Sequence, residues 1–362
     1  MKKITIIGAG KIGASIAKLL HECGRYQVTL LDRDSTALQR VQRYSDVATG
    51  IIDVHDESAL EKSLAGQWAV VSACSFDLNC SIARTALRSG VSYFDLTEDV
   101  ETTRIIRKLA DKAKVGQIFL PQCGLAPGFI GILAHSLAQQ FDAIDTLKMR
   151  VGALPQYPTN KMMYNLTWST DGLINEYCNP CEVLKEGQLI EVQPLEGLEK
   201  FSLDGKEYEA FNTSGGLGTL CETLQGKVEN LNYKTVRYQG HQYLADFLVN
   251  GLELGKHDRR ALLKQILEMA IPITRQDVVL IFVSVTGQKH GQFTQISDAR
   301  KIYDRRILGE HWSSIQITTA ASACVAIDLH AEGQLPDQGF VKQEQISLQM
   351  FLDNPFGAYY QQ

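Results

Sequence analysis

The chain has 362 residues, with 36 Lys and Arg against 41 Asp and Glu, a formal net charge of -5. That length exceeds a single ordinary core and predicts two domains, or one with a large insertion. The mild acidic balance, with no long run of like charge, excludes the electrostatic footprint of a nucleic-acid binder and points to small-molecule partners.

The opening stretch MKKITIIGAGK has the basic start of a leader, but its apolar run stops at Lys11 without a cleavage-like segment, so it reads as a strand and its turn. KIGASIAKLLHECG follows with apolar residues at helical spacing and closes at Gly24. YQVTLLDRD, SDVATGIIDVHD and WAVVSACS read as further short strands, and CSIARTALRSG as a helix after the last of them. VSYFDLTED, the helical VETTRIIRKLADKAKV and QIFLPQCG complete this part. Short apolar strands alternating with amphipathic helices over residues 1–125 predict a doubly wound parallel sheet.

Past Gly128 the pattern changes. IDTLKMRVGAL, KTVRYQG and QDVVLIFVSVTGQKHGQFTQIS are longer β-rich segments, the last a hairpin turning between Gly287 and Gly291, which makes residues 126–311 an α+β domain. VVLIFVSV is too short to cross a bilayer, and its apolar surface is the reason to expect a homodimer through this sheet. SSIQITTAASACVAIDLHAEG then reads as a helix capped at Gly333, and QEQISLQMFLDN as a second. Residues 312–362 are therefore expected to pack as helices on the first domain. Eight cysteines lie at 23, 74, 80, 123, 178, 181, 221 and 324 without framework spacing, so reduced thiols in a cytoplasm are expected. Cys178 and Cys181 form a CxxC, open to a redox or half-zinc reading. No second CxxC completes a metal set, and the plainer reading is a loop with two half-buried thiols.

Gly8, Gly10 and Gly13 form GxGxxG at the first strand-to-helix junction, with Lys11 and Ile12 inside it. The glycines permit a tight turn, close approach of a pyrophosphate and tight helix-on-strand packing. Asp32 follows at the spacing of a dinucleotide fingerprint. Its carboxylate would accept from both ribose hydroxyls and repel a 2′-phosphate, which favours NAD; Arg33 leaves NADP open. Ligands in such sheets lie beyond the C-terminal strand ends. That places Asp53 and Val54 near the adenine, and Ser72, Ala73 and Cys74 near the nicotinamide ribose. Asp95, Leu96, Thr97 and Glu98 fall near the reacting ring. Asp95 and Glu98 are candidates for proton work, or equally for helix caps.

With these residues in place the chain resembles the saccharopine dehydrogenase family along nearly its whole length. Besides IIGAGKIG, the stretches that carry the resemblance are CGLAPGF, VGALPQYP, YNLTWSTDGLINEY, VLKEGQLIEV, KTVRYQGH and TTAASACVAIDL. The resemblance implies an NAD(P)-dependent oxidoreductase acting at a carbon–nitrogen bond of a lysine-like amino acid, with a Rossmann-type domain, an inserted substrate and dimerisation domain, and C-terminal helices that return to the nucleotide domain. CGLAPGF is then the hinge into the insertion. Where saccharopine reductases and carboxynorspermidine dehydrogenases have GLDPG, this chain has Ala126, as in the lysine 6-dehydrogenase branch. Where the reductases carry a carboxylate-binding arginine, it has NTSGGLGTL at 212–220, including Thr213. Both departures imply a smaller amine.

Arg237 remains as a carboxylate ligand or a structural ion pair, and Trp168 as a pocket wall or core filler. Tyr238 and His241 remain as a proton relay or as structure. The reaction read from this is oxidative deamination of a terminal amine, with the proton taken by a base such as Glu98 or His241, or lost through desolvation. A reductive joining of amine and aldehyde, and a nucleotide-sensing regulator without turnover, are the alternatives.

Overall fold

The computed structural model describes residues 1–361 and divides into two compact units, Met1–Phe129 with Gln316–Gln361, and Ile130–Ile315. In the first, β1 (Lys2–Ile7), β2 (Tyr26–Asp32), β3 (Ala48–Ile51), β4 (Ala69–Ser72), β5 (Ser92–Asp95) and β6 (Ile118–Leu120) alternate with α1 (Lys11–Glu22), α2 (Ser35–Gln42), α3 (Glu57–Leu64), α4 (Phe76–Ser89) and α5 (Val100–Ala110). The strands run parallel in the order β6-β5-β4-β1-β2-β3, which is the doubly wound arrangement expected from the alternation. Ile4, Ile6, Val70, Val71 and Phe94 are fully buried, as a sheet covered on both faces requires.

At the hinge, Phe129 N donates to Gly124 O at 3.0 Å. A Cβ on Gly128 (φ 134°) would lie 1.9 Å from that same oxygen, so no other residue fits there. The α6 helix (Phe129–Ala138) starts at this turn.

The second unit is built on β7 (Ala143–Pro155), with α7 (Thr170–Cys178) and four strands after it: β8 (Cys181–Lys185), β9 (Gln188–Val192), β10 (Glu199–Leu203) and β11 (Lys206–Asn212). It continues through α8 (Leu220–Leu224), β12 (Val228–Tyr238), α9 (His241–Asp246) with a π turn at Phe247–Gly251, and α10 (Arg260–Ala270). It ends with β13 (Asp277–Lys289), β14 (Gln292–Tyr303), β15 (Arg305–Ile307) and β16 (Glu310–Trp312). The mixed sheet runs β10-β11-β12-β7-β13-β14, with β8 on β12 and β9 on β8.

Four hairpins turn on two residues with positive φ: Glu186-Gly187, Asp204-Gly205, His290-Gly291 and Leu308-Gly309. This is the mirror-image turn whose twist matches that of the strands. The sequence reading placed only the third of them. The surface argument for a sheet-mediated dimer also fails: Val279, Ile281 and Val283 are 0% exposed within one chain, so VVLIFVSV needs no partner to cover it.

The α11 helix (Ser314–Ala331) carries the chain back to the first unit, where β17 (Gly339–Phe340) adds in parallel to β6, followed by α12 (Leu348–Asp353). Asp328, fully buried on α11, accepts from Tyr26 Oη at 2.5 Å and Asn354 Nδ2 at 2.7 Å, and pairs with Arg25 at 2.8 Å. The His330 ring stacks on Trp68 at 4.9 Å. These polar and ring contacts fix the returning helix near the starts of the interior strands β2 and β4, as the sequence predicts. Among the described residues, no helix is long and apolar enough to cross a membrane.

Candidate functional site

The glycine loop sits between β1 and α1, where the strand order reverses from β1-β2 to β1-β4. A Cβ on Gly8 (φ 107°) would lie 2.6 Å from Ala73 O, and one on Gly13 1.9 Å from Gly8 O, so these two glycines make the turn and the packing. A Cβ on Gly10 would meet nothing within 4 Å. That open face lies over the start of α1, which has no side-chain cap, so the amides of Gly10, Lys11 and Ile12 are positioned for an anion. The loop therefore fits a pyrophosphate.

Asp32, at the end of β2, accepts from Ala9 N at 2.5 Å and Asp34 N at 2.8 Å. Its carboxylate is thus oriented by the glycine loop itself. Arg33 is exposed beside it. Asp53 and Val54 follow β3, with Asp53 accepting from His55 N at 3.0 Å. Ser72 is held by Asn79 at 2.7 Å, Ala73 N donates to Ile7 O, and Cys74 Sγ reaches Ile7 O at 3.3 Å. Burial, with Asp32 nearby, lifts the Cys74 thiol to about 12, so it stays protonated.

Asp95 ends β5 with no exposure. It accepts from Tyr93 Oη at 2.8 Å, Thr97 N at 3.0 Å and Gln122 N at 2.9 Å. Burial raises its carboxyl to about 6, against those three bonds. It clasps the loop after β6, whose Gln122 takes φ 64°. Leu96 and Glu98 are half-buried beside it, and Thr97 is buried. Asp99, which the sequence reading passed over, caps α5 through Thr102 N at 2.7 Å.

In the second unit Arg237, on β12, is 2% exposed. Its Nε donates to Tyr177 Oη at 3.0 Å, and its Nη1 to Thr235 Oγ1 at 3.1 Å and Val236 O at 2.9 Å. The guanidinium lies 5.0 Å above the Tyr164 ring. No carboxylate among the described residues comes within ion-pair distance of it. Burial alone would lower its pKa; Tyr177, Tyr164 and Glu176 outweigh that and raise it, so it is a fixed cation.

Tyr164 Oη, on the ring beneath that guanidinium, is buried without a hydrogen-bond partner among the described residues, as are Thr167 Oγ1 and Thr213 Oγ1. A buried cation with no carboxylate in ion-pair contact, beside an unsatisfied hydroxyl, is costly unless a ligand completes it. Trp168 lies half-buried with its ring over Gly172, where a Cβ would come within 2.3 Å of it.

His241 is tied at both nitrogens, Nε2 to Tyr177 Oη at 3.0 Å and Nδ1 to Met162 O at 2.9 Å. A carbonyl only accepts, so Nδ1 carries the proton and Nε2 accepts from Tyr177. Burial, with Arg237 nearby, depresses its pKa to about 3, leaving the ring neutral. Tyr238 donates to Pro155 O at 2.9 Å and stacks on Tyr208. Both side chains are engaged within their own unit, and neither is oriented toward a free proton-transfer partner. Tyr164 and Tyr177, which complete the Arg237 cluster, lie in YNLTWSTDGLINEY, but nothing local in the sequence distinguishes them. The eight cysteines are free thiols; burial raises those of Cys178 and Cys181, the latter to about 12.

Two family models match the chain: the saccharopine dehydrogenase NADP binding domain over residues 4–120 and the saccharopine dehydrogenase C-terminal domain over residues 124–354. The chain belongs to the saccharopine dehydrogenase family. Its nucleotide is a nicotinamide dinucleotide. This family member is 23% identical over 260 residues to the mitochondrial alpha-aminoadipic semialdehyde synthase of Rattus norvegicus, covering 66% of this chain but 27% of that protein. It is 24% identical over 195 residues to saccharopine dehydrogenase [NADP(+), L-glutamate-forming] of Saccharomyces cerevisiae, covering 52% of this chain and 43% of that one. The match therefore spans less than half of either relative. The apo structure of saccharopine dehydrogenase (L-Glu forming) from Saccharomyces cerevisiae superposes with a TM-score of 0.78 at 16% identity, covering 97% of this chain and 95% of that one, which shows a shared fold.

Proposed function

We propose that this saccharopine dehydrogenase family member oxidatively deaminates a free amino acid with a distal amine, L-lysine or a close homologue, in a reducing cytoplasm. The observation that carries this reading is Arg237: a buried, permanently charged guanidinium without a carboxylate partner calls for one carboxylate from a ligand. NTSGGLGTL at 212–220, where reductases of the family carry a carboxylate-binding arginine, and Ala126, where they carry an aspartate, leave less charge than a tricarboxylate such as saccharopine needs.

In this mechanism Arg237 fixes the α-carboxylate, with Tyr177 and His241 holding its Nε edge. Trp168 lies against the methylenes. The amine must be neutral before its carbon can lose a hydride, and His241, which already accepts from Tyr177, is not the acceptor of that proton. A nicotinamide nucleotide, which Gly10 and Asp32 would hold, would supply the hydride acceptor. Water then hydrolyses the imine to an aldehyde and ammonia. A panel of amines with NAD and NADP tests the proposal: reduced nucleotide should appear with L-lysine at alkaline pH, and saccharopine should be much the poorer substrate. Fast saccharopine turnover with inert lysine would sink it. The relatives' names favour that second reading, in which the chain cleaves or forms saccharopine.

NAD is the proposed nucleotide, because the Asp32 carboxylate opposes a 2′-phosphate. Asp32→Asn retains an oxygen for Ala9 N but removes the charge. It should weaken NADH by about tenfold, the weight of a hydrogen bond to a charged group, while tightening NADPH. Arg33→Ala should spare NADH. Fluorescence titration checks both, and wild-type preference for NADPH that vanishes in Arg33→Ala would reverse the assignment.

A further inference from the structure

We propose that Asn165, with Thr167 beside it, forms the subsite that takes the α-ammonium of the amino acid whose carboxylate Arg237 holds. The inference rests on the substrate reading above and adds to it the residue that tells an α-amino acid from a plain amino carboxylate.

The argument starts in the segment YNLTW, residues 164–168. Leu166 N donates to Pro272 O at 3.0 Å and Leu166 O accepts from Thr274 N at 3.4 Å, which makes a parallel bridge to Ile273. Backbone in such a bridge is extended, so successive side chains leave it on alternate sides. Leu166 enters the core cluster of Leu173 and Ile174. Asn165 and Thr167 therefore leave together on the other side. That side is not turned to water, because Asn165 is 4% exposed and Thr167 1%. Yet Asn165 Oδ1 and Thr167 Oγ1 have no hydrogen-bond partner among the described residues. Buried polar groups are as a rule paired, and two unpaired ones on one side of one segment call for a partner from outside the chain.

The segment belongs to the Arg237 cluster. The Tyr164 ring lies 5.0 Å beneath the guanidinium. Burial raises the pKa of the Tyr164 hydroxyl, while Arg237, Thr167 and Trp168 act in the opposite direction, so all three lie near that oxygen. None of them reaches hydrogen-bond geometry with it. Thr167 and Arg237 thus meet at one tyrosine, and Asn165 shares Thr167's side of the strand.

The chemistry of the two atoms selects the group they take. An amide oxygen accepts and never donates, so its partner must bring an N–H or O–H. A second carboxylate would leave Asn165 Oδ1 as it is. An ammonium carries three donors and no acceptor, and Asn165 Oδ1 and Thr167 Oγ1 can receive two of them. The charges agree. Glu176, 5% exposed, acts on Arg237 without ion-pair contact, so the cluster holds both signs before a ligand enters. The head group of an α-amino acid has carboxylate and ammonium on one carbon and adds no net charge. Neutral acceptors therefore suffice for its ammonium, where a lone buried amine would call for a carboxylate of its own.

The test compares L-lysine with 6-aminohexanoate, which has the same carboxylate and distal amine but no α-amino group. Wild type should favour L-lysine in kcat/KM. Asn165→Leu, close in volume and without the polar atoms, should cut that preference by about tenfold or more, the weight of a hydrogen bond to a charged group. Thr167→Val should cut it in the same direction, so a folding failure of Asn165→Leu leaves the second variant decisive. The loss should fall on the KM for L-lysine. The melting temperature of the empty variants should hold or rise, because an unsatisfied buried group is gone, whereas loss of a structural strut would lower it. Calorimetric titration with L-norleucine and with hexanoate, which differ only in the α-amino group, asks the same question without turnover. If L-lysine is inert while L-norleucine binds more tightly than hexanoate and loses that margin in the variants, the deamination reading fails and the subsite stands. A preference for the α-amino ligand that survives in both variants, or a wild type that distinguishes neither pair, overturns the proposal.

Discussion

Gly13→Ala should lose nucleotide binding by two orders of magnitude or more and lower the melting temperature, whereas Gly10→Ala should lose binding alone. The difference follows from where each new Cβ would go. At Gly13 it falls 1.9 Å from Gly8 O and 2.9 Å from the Ala73 Cβ. Backbone cannot yield as a flexible side chain does, so α1 must shift off β1, and the loop that cradles the pyrophosphate shifts with it. At Gly10 the Cβ meets no protein atom within 4 Å, so the stability of the empty protein does not fall. Only a ligand brought close to that backbone would feel the methyl. Calorimetric titration with NADH, paired with thermal melts, separates the two effects. If Gly10→Ala bound NADH normally, the pyrophosphate would not approach the loop there, and the assignment of the site to this face would be wrong.

What could be read from the sequence follows the range of the interactions concerned. The nucleotide half was legible because its signals are local: each strand is a short apolar run, each helix has its own period, and the three glycines act within six residues of one another. The return of the C-terminal helix could be anticipated from its unbroken apolarity, but the anchors that hold it, such as Asp328 against Tyr26, join residues 302 apart in sequence.

In the second unit the outer hairpins escaped notice although Asp204-Gly205 is among the strongest short-range turn signals. Their strands alternate polar and apolar residues at an exposed edge and lack the long apolar run that drew attention to β13. Reading β13 by apolarity alone also misled the dimer argument, because apolarity marks burial without saying by what. The Arg237 cluster was half legible: the arginine could be singled out, but its dependence on Tyr177 and on a neutral His241 spans 60 and 64 residues and exists only in the fold.

Arg237→Met should raise the KM for the amino-acid substrate by about 100-fold or more while leaving the empty protein as stable as wild type or more so. The two expectations have opposite signs for one reason. A guanidinium held in the interior without a carboxylate costs several kcal/mol of desolvation, and its three hydrogen bonds and the ring beneath it offset only part. Methionine keeps much of the volume and removes the charge, so the empty fold loses little. A carboxylate ligand, by contrast, would lose a charge-assisted and in part bidentate partner in a water-poor site. Because that contact is the same before and during hydride transfer, KM should carry the loss and kcat should change little. Arg237→Lys should recover only a fraction, since an ammonium cannot hold Tyr177 and a carboxylate through one planar fork. Steady-state kinetics and chemical denaturation read the two quantities separately. A marked fall in stability with an unchanged KM would show Arg237 to be a structural strut of β12, and the single-carboxylate reading of the substrate would fall with it.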